Sequence, residues 1–307
     1  MNSKLNRRQY LGTMLGAGAG LSLSNASFAA TLNKTPSPPQ VTLGKTGITT
    51  SRLALGTGVS AGKLRSKATD KGFAEFVELF EYAYERGITF FDLAEWYGSH
   101  VYFREALRHI PREKVTILSK FWWRNDGNNV GDLPAEFRTR SAKKALTRFK
   151  HELKTDYIDI MLLHCLMKPE WTEDMQPYMD VFSEAKEKGE LKALGVSCHN
   201  FGAMETAIDS PWVDVILARL NPAEVAMDAS PERIITLLKK AKARGIGVIG
   251  MKVFGNGKLV ERRDECMRFT QSHDVFDAMT IGMLNKEQID DNLSLMAKYP
   301  AKRKSLT

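Results

Sequence analysis

The sequence predicts an α/β fold, a closed parallel (β/α)8 barrel of the TIM type, on the basis of three observations. Eight short apolar runs, each long enough for one buried strand, recur from residue 53 onwards. Most of them are separated by longer segments with helical periodicity, an alternation that favours parallel strands joined by crossover helices. The chain of 307 residues suits one such domain and contains no internal linker. The runs are 53–55, 89–92, 115–119, 158–163, 193–196, 213–217, 246–251 and 278–282.

Composition indicates a soluble globular chain, with 43% hydrophobic and 26% charged residues. The formal net charge of +8 includes Lys4, Arg7 and Arg8, which lie in a 29-residue leader that has no acidic residue. The remaining excess is modest and no basic stripe is interleaved with aromatic residues, so we expect no nucleic-acid partner.

The leader has the layout of a twin-arginine export signal. The Arg7-Arg8 pair is followed by Leu11 and a weakly apolar run over 12–23, and Ser27-Phe28-Ala29 supplies small residues for cleavage after Ala29. We therefore expect the twin-arginine machinery as a partner and a periplasmic or otherwise exported protein. An uncleaved anchor or a chance arginine pair is the alternative, but the run is short for a membrane helix, so we expect no stable span after processing.

The leader divides the chain into three predicted parts. Residues 1–29 are the signal peptide, residues 30–40 with three prolines form a tether, and residues 41–307 form the barrel.

The three cysteines, Cys165, Cys198 and Cys266, are too few for a disulfide scaffold, and no pair has metal-ligand spacing. We therefore expect no metal. Cys165 and Cys198 follow the ends of neighbouring predicted strands, which leaves open either a disulfide or a pair of packed thiols.

Within the barrel the helices show apolar faces, as in the segment 73–87 that ends at a glycine. The connection 121–136 is long and lacks a convincing helix. With Trp96, the pair Trp122 and Trp123 is expected to line an aromatic substrate cleft; the alternative is that one or both pack the loop onto the barrel.

Four predicted strands end at polar residues suited to chemistry. Asp92, Lys120, His164 and Ser197 take these positions, and Tyr97 follows Asp92 in the next loop. Because the carboxyl ends of parallel strands meet at one face, we expect these side chains in one pocket. A buried ion pair beside a core histidine is the structural alternative.

The order Asp92, Tyr97, Lys120 and His164 resembles the catalytic tetrad of the aldo-keto reductases. The resemblance extends over residues 41–298 and includes a glycine-containing segment at 43–47 and the Leu-Gly-Val-Ser motif before residue 198. It implies a short N-terminal β-hairpin and the NAD(P)H-dependent reduction of a small-molecule aldehyde or ketone.

The tetrad implies a role for each residue. Tyr97 donates the proton, and Lys120 is expected to lower the pKa of that phenol because a nearby ammonium favours phenolate. Asp92 is the counter-ion of Lys120, and His164 donates a hydrogen bond to the substrate oxygen.

The same resemblance implies cofactor contacts at the barrel mouth. Ser197 matches the carboxamide-binding serine, whereas its asparagine partner is displaced to Asn200, and Leu217 replaces a frequent glutamine. The full set of expected cofactor residues is Ser197, Asn200, Asn221, Lys252, Gly255, Gly257, Gly282, Asn285, Lys286, Gln288 and Asn292. Lys286 is the one cation near the expected 2′-phosphate, so we expect NADP(H) to be preferred by a small margin, with NAD(H) possible.

Two hypotheses from different classes remain at this stage. The intact tetrad favours a carbonyl reductase. The altered Ser197 to Asn200 and Leu217 positions favour a reductase-like barrel that binds a nucleotide or a partner protein with little or no turnover.

Overall fold

The barrel is closed, as predicted. The computed structural model describes residues 36–302, so the predicted leader and residues 30–35 of the tether lie outside the described residues. A two-stranded antiparallel hairpin, β1 (Gln40–Thr42) and β2 (Thr49–Ser51), precedes the barrel. The barrel strands are β3 (Leu53–Gly56), β4 (Phe90–Asp92), β5 (Thr116–Phe121), β6 (Ile158–Leu166), β7 (Leu191–Cys198), β8 (Val215–Arg219), β9 (Gly247–Met251) and β10 (Ala278–Gly282). Neighbouring strands are parallel in chain order, and β10 closes the barrel on β3.

Eight helices surround the strands in the described part of the chain. They are α1 (Phe73–Glu85), α2 (His100–Ala106), α3 (Ala135–Leu153), α4 (Trp171–Glu187), α5 (Phe201–Asp209), α6 (Pro231–Ala243), α7 (Arg263–Ser272) and α8 (Lys286–Lys298). Each longer helix buries one apolar stripe, as α1 does with Phe76, Phe80 and Ala83. None of the helices between residues 36 and 302 is long and apolar enough to cross a membrane.

Alternation along the strands separates two apolar layers. Phe90 belongs to the cluster inside the barrel, whereas its neighbour Phe91 packs outward against Phe80 and Phe103 of the helices. The strands are therefore buried on both faces, which explains their nearly continuous apolar sequences.

The hairpin closes the amino-terminal end of the barrel. Val41, Leu43 and Ile48 join the inner cluster, and the Lys45 N–H donates to the Gly245 carbonyl at 2.8 Å. Gly44 has a φ of +50°, and a Cβ there would lie 2.3 Å from the Gly245 oxygen, so only glycine fits. The opposite end of the barrel, where the carboxyl ends of the strands lie, is left accessible to ligands.

Three strands run two or three residues past the ends of the predicted apolar runs. β5 includes Lys120 and ends at Phe121, β6 includes His164 and ends at Leu166, and β7 includes Ser197 and ends at Cys198. The apolar residues beyond each polar one continue the ladder, so polarity did not mark the true ends.

All three cysteines are free thiols in the structure. Cys165 Sγ lies 3.6 Å from His199 Nε2, and Cys198 is fully buried. Of the two arrangements left open, the structure shows separate thiols.

Candidate active site

A buried ion pair lies at the base of the barrel mouth. The Lys120 ammonium, on β5, bonds to Asp92 Oδ1 at the end of β4 and donates to the Leu93 carbonyl at 2.9 Å. The Thr280 hydroxyl, on β10, donates to Asp92 Oδ2 at 2.8 Å. Both carboxylate oxygens are thus occupied, which offsets the cost of burying the charge.

Thr280 was not anticipated as a site residue. The sequence signal that could have found it is a single hydroxyl within the apolar strand Ala278–Gly282, which pairs with β3 to close the barrel. A buried hydroxyl needs a partner, and here the partner is Asp92.

Tyr97 and His164 lie together above the ion pair. Tyr97 ends a 3-10 turn over Glu95–Tyr97, and its hydroxyl oxygen is 3.4 Å from His164 Nε2. The Lys120 ammonium lies 4.7 Å from the centre of the Tyr97 ring. Gly58 makes room for that ring, since a Cβ there would lie 2.5 Å from Tyr97 Cζ. The structure therefore brings the four predicted residues into one place.

Burial controls the protonation of this cluster. Burial lowers the pKa of His164 well below its ordinary value, and the positive charge of Lys120 lowers it further. Burial also lowers the pKa of Lys120, and Asp92 opposes this effect. The imidazole is consequently neutral at physiological pH.

The electrostatics of Tyr97 differ from the expectation that Lys120 lowers its pKa. Burial raises the pKa of the Tyr97 phenol well above its ordinary value, and the negative charge of Asp92 raises it further. The reason is that the Lys120 charge is held by Asp92 and faces the Tyr97 ring. Tyr97 is therefore a neutral phenol that retains its proton.

Two tryptophans form an aromatic wall beside the imidazole. Trp96 and Trp122 stack with ring centres 5.0 Å apart and an interplanar angle of 20°. The Trp122 ring lies edge-on to His164 at 5.0 Å. The two rings thus lie side by side next to the imidazole, and their role as a substrate wall stays a prediction.

Trp123 requires a correction, because it does not line the cleft. It is 6% exposed, packs in the core around the barrel, and its indole N–H donates to the His164 carbonyl at 2.8 Å. Trp123 begins the 3-10 turn Trp123–Asn125, and burial of its ring with the indole N–H satisfied favours this position.

Glu95 anchors the connection that carries Trp122. It is buried, accepts from the Trp122 N–H at 3.0 Å and the Asn125 side-chain amide at 2.9 Å, and pairs with Arg148 of α3. Sequence reasoning missed Glu95, although an acid beside two aromatic residues was a visible signal.

The residues at the end of β7 and just after it are engaged locally. Ser197 Oγ accepts from the Cys165 N–H at 2.8 Å, which leaves its own hydroxyl proton to donate elsewhere. Asn200 caps α5 by accepting from the Ala203 N–H at 3.0 Å. Its amide N–H groups are not used in the cap.

Asn221 organises a loop. Its amide donates to the Val225 carbonyl at 2.8 Å and accepts from the Ala223 and Val225 N–H groups. Its side chain thus shapes the loop after β8 and contributes to the mouth through that backbone. Leu217 is buried inside the barrel.

A left-handed turn follows β9. Lys252, Gly255, Asn256 and Gly257 all have φ between +53° and +90°. No heavy atom lies within 4 Å of a Cβ placed on Gly257, so this face is open to a ligand. The N–H groups of Gly255 and Gly257 close the turn itself, at 2.8 and 3.0 Å. The turn leaves room for a phosphate at Gly257, but the Gly255 and Gly257 N–H groups expected to approach it are used inside the turn, so phosphate binding here stays a prediction.

The start of α8 is reciprocally capped. Asn285 Oδ1 accepts from the Gln288 N–H at 2.8 Å, and Gln288 Oε1 accepts from the Leu284 N–H at 2.8 Å. Asn292 donates to the Gln288 carbonyl at 2.7 Å within the helix. Gly282 ends β10 at an exposed position.

Lys286 is paired. Its ammonium bonds to Glu78 of α1 and lies 5.3 Å from the centre of the Tyr82 ring. A phosphate at the start of α8 must therefore compete with Glu78 for this cation.

Comparison with known proteins is consistent with this site. The model of the aldo/keto reductase family matches residues 52–304. The NADH-specific methylglyoxal reductase of Escherichia coli (strain K12) is 27% identical over 200 residues, which cover 62% of this chain and 61% of that protein. The chain thus spans less than two thirds of that relative. Methylglyoxal reductase DkgB of Salmonella typhimurium is 26% identical over 202 residues, covering 65% of this chain and 68% of that protein.

Solved structures show the same fold. An aldo-keto reductase from Bacillus halodurans in its holo form superimposes with a TM-score of 0.65 at 16% identity, covering 88% of this chain and 93% of that one. A thermostable aldo-keto reductase in complex with the inhibitor epalrestat gives a TM-score of 0.65 at 21% identity, covering 86% and 96%.

Proposed function

The chain belongs to the aldo/keto reductase family, and from this premise we propose that it reduces an aldehyde or ketone to an alcohol with NAD(P)H. One observation carries the proposal. The Tyr97 hydroxyl and His164 Nε2 lie 3.4 Å apart above the buried pair of Lys120 and Asp92. A proton donor and a neutral hydrogen-bond donor thus converge where one carbonyl oxygen can contact both.

The mouth has features that fit a nicotinamide nucleotide. Ser197 and Asn200 retain donors for a carboxamide, the open turn at Gly257 suits a phosphate, and the capped start of α8 favours an anion. When bound, the reduced nicotinamide supplies the hydride.

The residues of the chain supply the proton. His164 is neutral, and in the tautomer protonated at Nε2 it donates a hydrogen bond to the carbonyl oxygen. Tyr97 then gives its phenolic proton to the oxygen as the alcohol forms. The proton moves because the alkoxide that forms on the substrate is a stronger base than a phenolate, and Asp92 and Thr280 hold the Lys120 ammonium beside the Tyr97 ring.

Methylglyoxal is a suitable first probe, because two relatives bear the name methylglyoxal reductase. Tyr97→Phe should abolish most reduction of methylglyoxal and leave nucleotide affinity nearly unchanged, since the hydroxyl acts at the carbonyl oxygen. Steady-state assays and nucleotide titration measure the two quantities. Near-normal turnover by Tyr97→Phe would remove this residue from the acid role.

The same assay decides between the two classes of hypothesis. If a panel of aldehydes shows no reduction by the wild-type protein although a nucleotide binds, the barrel is a binding protein. Reduction of any member supports the enzyme.

We also propose export by the twin-arginine route, which passes folded proteins and would carry the nucleotide inside. The signal residues lie outside the described part of the structure, and the proposal rests on their sequence. Changing Arg7 and Arg8 together to Lys should leave the precursor in the cytoplasm. Processed protein outside the membrane in that variant would contradict the proposal.

A further inference from the structure

Arg124 is a cation at the aromatic wall, and no carboxylate within the described residues 36–302 forms an ion pair with it. It lies in the connection after β5, and its guanidinium carbon is 5.0 Å from the centre of the Trp123 ring and 5.8 Å from that of Trp122. Its Nε is buried and has no hydrogen-bond partner. The nearest acid along the loop, Asp126, is engaged by Ser141 and Tyr178.

Lys252 is a second cation at the mouth. It is partly buried after β9, and no carboxylate between residues 36 and 302 forms an ion pair with it. Its charge and that of Arg124 both lower the pKa of His199, after the larger effect of burial. Both cations therefore act on the same region of the mouth.

Two acids close to these cations are already paired. Asp92 holds Lys120, and Asp228 holds Arg219. The mouth consequently has an excess of positive charge, in a partly buried setting where such an excess is costly unless an anion binds.

Lys252 and Arg124 are placed to interact with different groups, a nucleotide phosphate and the carbonyl substrate. Lys252 begins the left-handed turn that suits a nucleotide phosphate. Arg124 lies 5.0 Å from the centre of the Trp123 ring and 5.8 Å from that of Trp122, and the Trp122 ring contacts His164 edge-on at 5.0 Å. A planar guanidinium packed on an aromatic ring beside the carbonyl site matches a carboxylate by paired hydrogen bonds.

We propose that the carbonyl substrate is itself an anion, an aldehyde or ketone that carries a carboxylate, and that Arg124 determines this specificity. The inference rests on the proposed reductase function and adds the class of substrate. Lys252 contributes positive potential at the mouth.

The test compares two aldehydes of the same shape, 4-carboxybenzaldehyde and neutral 4-nitrobenzaldehyde, at saturating reduced nicotinamide. The wild type should show a higher kcat/KM for the carboxylate. Arg124→Gln should lower that value by about 10- to 100-fold, mainly through KM, and change the nitro compound little, because only the anion loses a charged hydrogen bond. Arg124→Lys should recover part of the loss. Arg140→Gln, an exposed arginine on α3, is the matched control.

Equal loss on both aldehydes in Arg124→Gln would assign Arg124 to packing and contradict the inference. Reduction of both aldehydes without a preference would contradict it and leave the proposed function standing. If neither aldehyde is reduced, the proposed function fails on these substrates, and calorimetric titration of 4-(hydroxymethyl)benzoate against 4-nitrobenzyl alcohol decides the inference. Tighter, Arg124-dependent binding of the acid supports it, and equal binding refutes it.

Discussion

Asp92 is a carboxylate whose two oxygens have different tasks. Oδ1 binds the Lys120 ammonium, whereas Oδ2 accepts a hydrogen bond from the Thr280 hydroxyl on β10, the strand that closes the barrel on β3. The second bond fixes the carboxylate plane, so the position of the ammonium under Tyr97 depends on a residue that contacts neither tyrosine nor histidine. Thr280 is a positioning residue.

Thr280→Val should therefore lower kcat while preserving shape. It removes the hydroxyl and leaves a buried carboxylate oxygen without its partner, at a cost of about 1–3 kcal/mol in the free energy of unfolding. Urea unfolding and steady-state kinetics measure both effects. Thr270→Val, which removes a buried hydroxyl from α7, is the control and should lose stability without lowering kcat. An unchanged kcat in Thr280→Val would show that Asp92 is fixed without it.

His199 should make the protein sensitive to acid. Burial, with Lys252 and Arg219, lowers its pKa to about 3, whereas an unfolded histidine titrates near its ordinary value. As pH falls below about 6.5, the unfolded state binds a proton that the folded state does not, so stability falls by about 1.4 kcal/mol per pH unit for such a histidine. His164, whose pKa is also lowered, acts in the same direction.

The change in unfolding free energy between pH 7.5 and 5 should accordingly be smaller in His199→Gln than in the wild type. Urea unfolding at the two values measures it, with His151→Gln at the surface of α3 as the control. The same slope in wild type and His199→Gln would contradict the lowered pKa.

Lys286 sets the expected choice of nucleotide, and Glu78 opposes it. Lys286→Ala should reduce the affinity for NADPH and leave that for NADH nearly unchanged, because only NADPH has the 2′-phosphate. Glu78→Gln should act in the opposite sense by releasing the ammonium from its ion pair. Calorimetric titration of both nucleotides compares the variants, and equal or tighter binding of NADH by the wild type would contradict the proposed preference for NADP(H).

At the scale of elements, the connection between β5 and α3 is held at its start by one buried acid. Glu95 binds the backbone of Trp122 and the side chain of Asn125, and Arg148 ties Glu95 to α3. The aromatic wall is thus fixed to the helix layer although it lies in a loop.

Glu95→Gln should loosen that wall. An amide in place of the carboxylate sets a donor against a donor and removes the charge that pairs with Arg148. We expect KM for an aromatic aldehyde to rise about tenfold with a smaller change in kcat, as steady-state kinetics can measure. Glu105→Gln removes a carboxylate from an ion pair with the exposed Arg108 and should change neither value. An unchanged KM in Glu95→Gln would show that the wall is held by packing alone.

The N-terminal hairpin contains two glycines that can be compared directly. Gly44 and Gly47 both have positive φ, but a Cβ on Gly44 would meet Gly245, whereas one on Gly47 meets nothing within 4 Å. Gly47→Ala should cost about 1 kcal/mol from backbone strain, and Gly44→Ala considerably more because the hairpin must shift off the barrel. Chemical unfolding of both variants measures the difference. Equal losses would show that the hairpin does not pack tightly there.

For the whole molecule, the sequence was sufficient for the architecture because apolar runs and helical periods report burial, and burial defines a barrel. Asp92, Lys120 and His164 were found because each is a polar residue within or at the end of an apolar strand. Thr280, Glu95 and Arg124 were not found, since their roles depend on contacts between distant segments. The raised pKa of Tyr97 was missed for the same reason: it depends on where the Lys120 charge points.

The bond from Thr280 to Asp92 joins strand β10 to strand β4, 188 residues earlier in the chain. During synthesis, Asp92, Tyr97, Lys120 and His164 all leave the ribosome well before residue 280 does. A nascent chain that has folded its first strands therefore holds the acid and the ammonium without the hydroxyl that orients them. The hydrogen-bonded arrangement around Asp92 is complete only when β10 is in place, so a chain released before residue 280 lacks this bond even where Asp92, Tyr97, Lys120 and His164 are all present.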